Sequence, residues 1–326
     1  MERICIQDPA TGSSAEFLPE LGFNCCAFRP VLVSPAGRRW ELDVIEASPE
    51  FLAGQASPSG YGIPLLFPYP NRIREGRFSW NGQNYELSPE QVFFDGTGNA
   101  IHGLCLDRPW RVVKQSEQSV EAEFQLSSDA PDRKDCWPAD FVIRARYTVE
   151  GSSLRLVVTI RNPDSVPLPW GFGTHPYFRV PLAADSHAES CLVEVPASEQ
   201  WELIQCLPTG KRISVSPECD LREGAAWGTL HLDHVLTGLS YEGDVLKCGL
   251  VDQEAGLELV QRCGKEFREV VVYTPPGRNS VCLEPYTCVT DAVNLQAKGI
   301  ESGWRVLNPG EELQLWVDIR VGLVVA

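Results

Sequence analysis

Neither a C-x-x-C pair nor any apolar run long enough to span a membrane occurs in the 326 residues. Zinc ribbons, dithiol redox motifs and a helical membrane span are thereby set aside, the last needing roughly 20 apolar residues in a row. Also missing are a phosphate-cradling G-x-x-x-x-G-K-[ST], a G-x-G-x-x-G behind a strand, and the G-x-S-x-G of a strained serine turn, so no nucleotide cofactor and no acyl-enzyme serine is expected. Positive charge is scarce: Lys plus Arg is 28 against 44 for Asp plus Glu, a net charge of −16. Such a chain repels phosphate backbones and anionic lipid, which removes nucleic acid and membrane surfaces as expected partners. The opening MERICIQDPATGSS carries Asp8 where a secretory signal has its apolar core, and a cytoplasmic location is expected. In that compartment the twelve scattered cysteines, of which only Cys25 and Cys26 adjoin, are expected to be free, mostly buried thiols.

Long capped segments of 3.6 period are equally lacking, and 27 glycines and 25 prolines spread along the chain leave little room for them. What is present is period-two alternation. Val112 to Leu126, Phe141 to Ile160 and Leu313 to Val321 alternate apolar with polar residues and are rich in β-branched and aromatic side chains, so they read as strands. Turn residues between Thr148 and Leu154, and Asn81-Gly82 between Phe78-Ser79-Trp80 and Tyr85-Glu86-Leu87, predict hairpins. Short helices are predicted around Pro89 to Phe93 and Asp291 to Ala297. No repeat, low-complexity tract or linker divides the chain, which predicts one all-β domain over residues 1–326, built as a mostly antiparallel sandwich.

Histidine is rare, with five in the chain, and two of them stand in glycine-bounded apolar segments: His102 in Asn99-Ala100-Ile101-His102-Gly103, and His175 in Gly171-Phe172-Gly173-Thr174-His175-Pro176-Tyr177-Phe178. Burying a titratable ring costs free energy unless its nitrogens are partnered. A single such histidine is more often a satisfied core residue than a catalyst. Glycines on both sides, however, let backbone approach a ligand or take positive φ. None of the histidines forms a metal-ligating pair with these two by spacing, so no metal site is expected. Arg72 follows the proline-stiffened run Leu65-Leu66-Phe67-Pro68-Tyr69-Pro70, and Glu284 closes the apolar Ser280-Val281-Cys282-Leu283. Either can be an ordinary surface charge. An arginine fork also suits vicinal hydroxyls, and a shielded carboxylate gains basicity.

Taken together, P-L-L-F-P-Y-P-N-R-I at 64–73, A-I-H-G at 100–103, W-G-F-G-T-H-P-Y-F at 170–178 and C-L-E-P-Y-T at 282–287 resemble the aldose 1-epimerase (galactose mutarotase) family, in particular its divergent bacterial branch. The resemblance implies a large β-supersandwich with a shallow sugar cleft, Glu284 as general base and His175 as general acid, and Arg72 and His102 as groups that bind the sugar hydroxyls. It also implies a substrate-binding aspartate between the second histidine and the glutamate, for which Asp233 in Leu232-Asp233-His234-Val235 is the best match. The reaction so implied, exchange of the α and β anomers of an aldose, is an isomerisation that needs no cofactor.

Anomer exchange removes the proton of the C1 hydroxyl and protonates the ring oxygen, so one base and one acid suffice. A histidine with pKa near ~6.5 is about one quarter protonated at pH 7, and a neighbouring carboxylate is expected to raise that fraction. Glutamate near ~4.3 is a weak base, which burial beside Leu283 and Pro285 is expected to strengthen. Of the aromatics near these segments, Phe67, Tyr69, Trp170, Tyr177 and Tyr286, most are expected in the core. Alternatives with the same scaffold are exchange on a hexose 6-phosphate, for which Arg72, Arg74 and Arg77 alternate, and a non-catalytic sugar-binding module. Glycoside hydrolysis with Glu284 and Asp233 as the carboxylate pair is a third, though it leaves the two histidines idle. A monomer or homodimer with a small sugar as its partner is expected.

Overall fold

The period-two segments become two large antiparallel sheets. In the computed structural model, which describes residues 1–324, the larger sheet has nine strands in the order Arg111–Gln115, Ser119–Gln125, Val142–Glu150, Ser153–Arg161, Glu312–Leu323, Leu257–Gly264, Val245–Asp252, Cys191–Glu194 and Ala225–Ala226. The smaller has eight, running Leu207–Ser214, Ala197–Ile204, Asp233–Leu239, Glu269–Tyr273, Ser280–Tyr286, Gly173–Thr174 and Leu65–Leu66, with Tyr177–Arg179 also paired to Ser280–Tyr286. Positions 325 and 326 of the expected single unit lie outside the described residues. Helix among the described residues is confined to pieces of three to six residues. None of the helices is long and apolar enough to cross a membrane.

Alternation decides which face each side chain takes. In Val142–Glu150 the residues Ile143, Ala145, Tyr147 and Val149 are buried, and the partner strand Ser153–Arg161 answers with Leu154, Leu156, Val158 and Ile160. These meet Val270, Val272, Val281 and Leu283 of the smaller sheet in one buried cluster that runs from Ile6 to Val321. A second, smaller cluster of Leu66, Trp201, Val235, Val271, Tyr286, Cys288 and Leu295 covers the other face of the smaller sheet. The smaller sheet is therefore apolar on both sides, and its second face is where charge intrudes.

The hairpin at Asn81-Gly82 forms as the sequence predicts, joining Arg77–Trp80 to Gln83–Glu86 with φ of 48° and 78° at the two turn residues. Two positive φ values in succession are what a tight hairpin turn demands. The stretch from Val112 to Leu126 is two strands and not one, folded back between Ser116 and Ser119. The helix expected at Asp291 to Ala297 is present as Ala292–Ala297. The one expected at Pro89 to Phe93 is not: Gln91 and Val92 both donate to the Ser88 carbonyl, and the turn then stops. A single turn fixes several dihedrals for one or two bonds, and without an apolar stripe to pack it does not propagate. All twelve cysteines are free, Cys5 exposed, Cys206 half-buried and the others buried.

Candidate active site

Strand Ser280–Tyr286 is buried along its whole length and alternates between two destinations. Val281 and Leu283 enter the core between the sheets, while Cys282, Glu284 and Tyr286 point to the opposite face. Glu284 is only 1% exposed there. Burial pushes its carboxyl well above the ordinary glutamate range, reinforced by the charge of Asp233 and opposed by a hydrogen bond from Tyr286 and by Arg72. The Tyr286 hydroxyl donates to Oε2 of Glu284 and leaves Oε1 for other work.

Gly173 makes this placement of Tyr286 possible. It pairs with Tyr286 across the strands, and a Cβ there would sit 2.3 Å from the ring. Two residues on, and so on the same side of the chain, His175 presents Nε2 at 3.3 Å from Oε1 of Glu284. Its ring lies flat on Tyr177, with centroids 4.7 Å apart and planes 9° from parallel. Tyr177 in turn is covered by the Arg278 guanidinium, which also lies over Tyr61 and is held by both oxygens of Glu46. A stack of arginine, tyrosine and histidine thus fixes the imidazole from behind.

The His175 proton is not held as the sequence suggests. A neighbouring carboxylate is expected to raise its pKa, yet burial dominates and pushes it down to about 3. The arginines Arg278 and Arg72 act in the same direction. The carboxylate does not compensate because burial drives it, too, toward its neutral form. The pair is therefore held as two neutral groups, with Nδ1 of His175 unpartnered.

Arg72 and His102 arrive together on a two-residue ladder, in which Ile101 pairs with Arg72 and Ala100 with Ile73. His102 follows at φ 68°, and its amide donates to the Asn71 carbonyl. Gly103 then passes so close to Phe67 that a Cβ would meet the Phe67 carbonyl oxygen at 2.2 Å. The close approach carries the His102 ring to 5.5 Å from that of His175, roughly at right angles. Burial lowers the His102 pKa well below the usual histidine range, so it offers a neutral ring. Arg72 is oriented by Asp95, which accepts from Nε at 2.6 Å, and by Asn71, which accepts from Nη1 at 2.8 Å. Asp95 is itself anchored by the amides of Thr97 and Asn99.

Asp233 stands apart. It opens strand Asp233–Leu239, is exposed, and pairs with Tyr273, whose ring centroid is 6.4 Å from that of His175. Its carboxylate accepts from the Cys206 thiol at 3.6 Å and reaches the centre through charge only. The structure thus brings His102, His175, Arg72 and Glu284 to one place and leaves Asp233 on the rim. Of the five aromatics near these segments, Phe67, Tyr69 and Trp170 are core, while Tyr177 and Tyr286 support the site. Asp95 and the Arg278–Glu46 clamp are members that sequence reasoning did not single out. Asp95 carried a faint signal, an Asp-Gly-Thr-Gly-Asn turn directly before the His102 segment.

A chemistry follows from this geometry. A carboxyl and an imidazole within reach of each other, in a dry setting, flanked by an arginine fork and a second neutral imidazole, can move a proton onto one oxygen of a polyhydroxy compound and off another. A sequence model of the family described as aldose 1-epimerase matches residues 35–320. The chain is 27% identical to the uncharacterized protein YihR of Escherichia coli over 234 residues, 71% of either chain. It is 31% identical to the aldose 1-epimerase of the same organism, over 41% of this chain and 36% of that one. Among solved structures, a galactose mutarotase-like protein from Clostridium acetobutylicum superposes with a TM-score of 0.83 at 21% identity, covering 98% of this chain and 95% of its own.

Proposed function

Because the chain belongs to the aldose 1-epimerase family, we propose that it is a cytoplasmic isomerase that interconverts the α and β anomers of an unphosphorylated hexose. The observation that carries this reading is the His175 to Glu284 pair, 3.3 Å from nitrogen to oxygen, buried together beside Arg72 and His102. Glu284 takes the proton of the C1 hydroxyl while Nε2 of His175 delivers one to the ring oxygen. The open aldehyde then rotates about C1–C2 and closes on its other face with the roles reversed. Arg72 and His102 hold the sugar hydroxyls, and Asp233 at the rim accepts from one farther out.

A phosphorylated sugar fits less well. Arg72 is engaged by Asp95, Arg74 lies 3.7 Å from Asp291, and Arg77 is paired with Glu86 at 2.8 Å. A phosphate finds no unpaired cation in that trio. Freshly dissolved α-D-glucose and α-D-galactose, followed by polarimetry, are expected to reach anomeric equilibrium faster with the protein than in buffer. No acceleration with either sugar would sink the reading.

The pH dependence tests the pair itself. Burial lowers His175 to about 3 and raises Glu284 well above its usual value, so between those limits the two groups share a single proton. The working form places that proton on His175 and leaves Glu284 anionic. It is one tautomer of the same protonation state, so its population does not change with pH inside the window. Below the window the pair gains a second proton and loses its base. Above it, the pair loses the only proton and with it the acid. The kcat/KM profile is expected to be level from above about pH 3 up to the raised pKa of Glu284 and to fall beyond it, and an acid-limb inflection near ~6.5 would show instead a histidine titrating as in water.

A further inference from the structure

Cys282 lies on the same face of the strand as Glu284, two residues back, and pairs across strands with Tyr177, the residue on which His175 stacks. The Cys282 thiol, a His175 ring nitrogen and a Glu284 oxygen lie within 4.8 Å of one another, and all three side chains are buried. Tetrahedral zinc with bonds of about 2.0 Å to nitrogen and oxygen sets those two ligands about 3.3 Å apart. The observed separation of His175 Nε2 and Glu284 Oε1 is 3.3 Å. The sulfur, within 4.8 Å of the other two donors, is the ligand that has to close in to its own bond length of about 2.3 Å.

The donor set selects the ion. One sulfur, one imidazole nitrogen and one carboxylate oxygen suit zinc or cadmium and do not suit magnesium or calcium, which want oxygen alone. Thiolate and carboxylate together cancel a divalent charge, so the complex is neutral in a place that disfavours net charge. A built-in metal site fixes its histidine through the second ring nitrogen. Here Nδ1 has no partner, which marks a site that a metal can enter and not one prepared to keep it.

We propose that His175, Cys282 and Glu284 form an inhibitory site for a thiophilic divalent cation, Zn²⁺ or Cd²⁺. Binding forms one bond from each of the three donors and releases to solvent the thiol proton and the proton held by the histidine–glutamate pair. The ion then occupies both lone pairs that the anomer exchange uses. The inhibition rests on the function proposed above, whereas the binding does not.

Titration of the reduced full-length protein with Co²⁺, read by absorption, separates the two. A thiolate-to-cobalt charge-transfer band with the visible bands of a four-coordinate ion is expected, and Zn²⁺ should displace it. Cys282→Ala and the milder Cys282→Ser are both expected to lose the band and to weaken Zn²⁺ inhibition by at least about 100-fold, more than loss of an outer-shell partner usually does. Metal-free turnover should persist in both. Cys206→Ser, at the thiol that lies against the Asp233 carboxylate, should keep the band. No cobalt uptake by wild type, or a band that survives in both Cys282 variants, overturns the proposal. A Cys282-dependent band in a protein that accelerates no sugar supports the metal site and removes the anomerase reading alone.

Discussion

Glu284→Gln is expected to lower the rate of anomer exchange by roughly 10²- to 10⁴-fold, the contribution of a positioned general base, and to leave the protein folded. The two side chains are nearly the same size, and the site is closed around them, with Glu284 1% exposed. The Tyr286 hydroxyl, which donates to Oε2 of Glu284, finds a carbonyl oxygen in the amide. The glutamine never carries charge, so the burial that pushes the native carboxyl upward has nothing to penalise. Thermal stability is therefore expected to equal or exceed that of wild type while polarimetry records the loss. Turnover near the wild-type level in a folded variant would place the base elsewhere.

His175→Asn is expected to cost a similar factor for the complementary reason. The amide nitrogen donates a hydrogen bond but cannot give up its proton, so the ring oxygen leaves as an uncompensated alkoxide. The variant also empties the top of the stack in which Tyr177 lies between His175 and Arg278. Some loss of stability is expected here, unlike the glutamine variant. Since acid and base act on one proton inventory, the double variant should be little slower than the worse single one. Additive losses would mean that the two residues serve separate steps.

Much of this arrangement could be read from the chain. Alternation marked the strands, and the pairing of Asn81 with Gly82 marked a turn whose two positive φ values few other residues tolerate. Polar residues inside apolar, glycine-bounded segments marked His102 and His175, because such a position has to be explained by a partner or by chemistry. The glycines prove specific: Gly103 and Gly173 each lie where any side chain would overlap a neighbour. What was hidden is tertiary. Nothing in positions 46, 61, 177 and 278 says that they form one clamp, since alternation assigns a face and not a partner. Asp95 reads as a turn residue and becomes the anchor of Arg72 only through a contact across 23 positions. The expectation for the His175 proton fails for the same reason, because the resemblance supplies the carboxylate of Glu284 but not the packing that removes water from both.

The order of the chain adds a consequence for how the protein comes into being. Strand Ser280–Tyr286 lies in the interior of the smaller sheet, paired on one side with Glu269–Tyr273 and on the other with Gly173–Thr174 and Tyr177–Arg179. Until it has left the ribosome, the earlier strands that flank it have open edges and the histidines face no glutamate. Domains whose contacts join distant positions fold slowly and expose such edges while they wait. The strand that carries Glu284 is thus made after Arg72, His102 and His175, and a nascent or truncated chain that ends before Glu284 has no partially working form to fall back on.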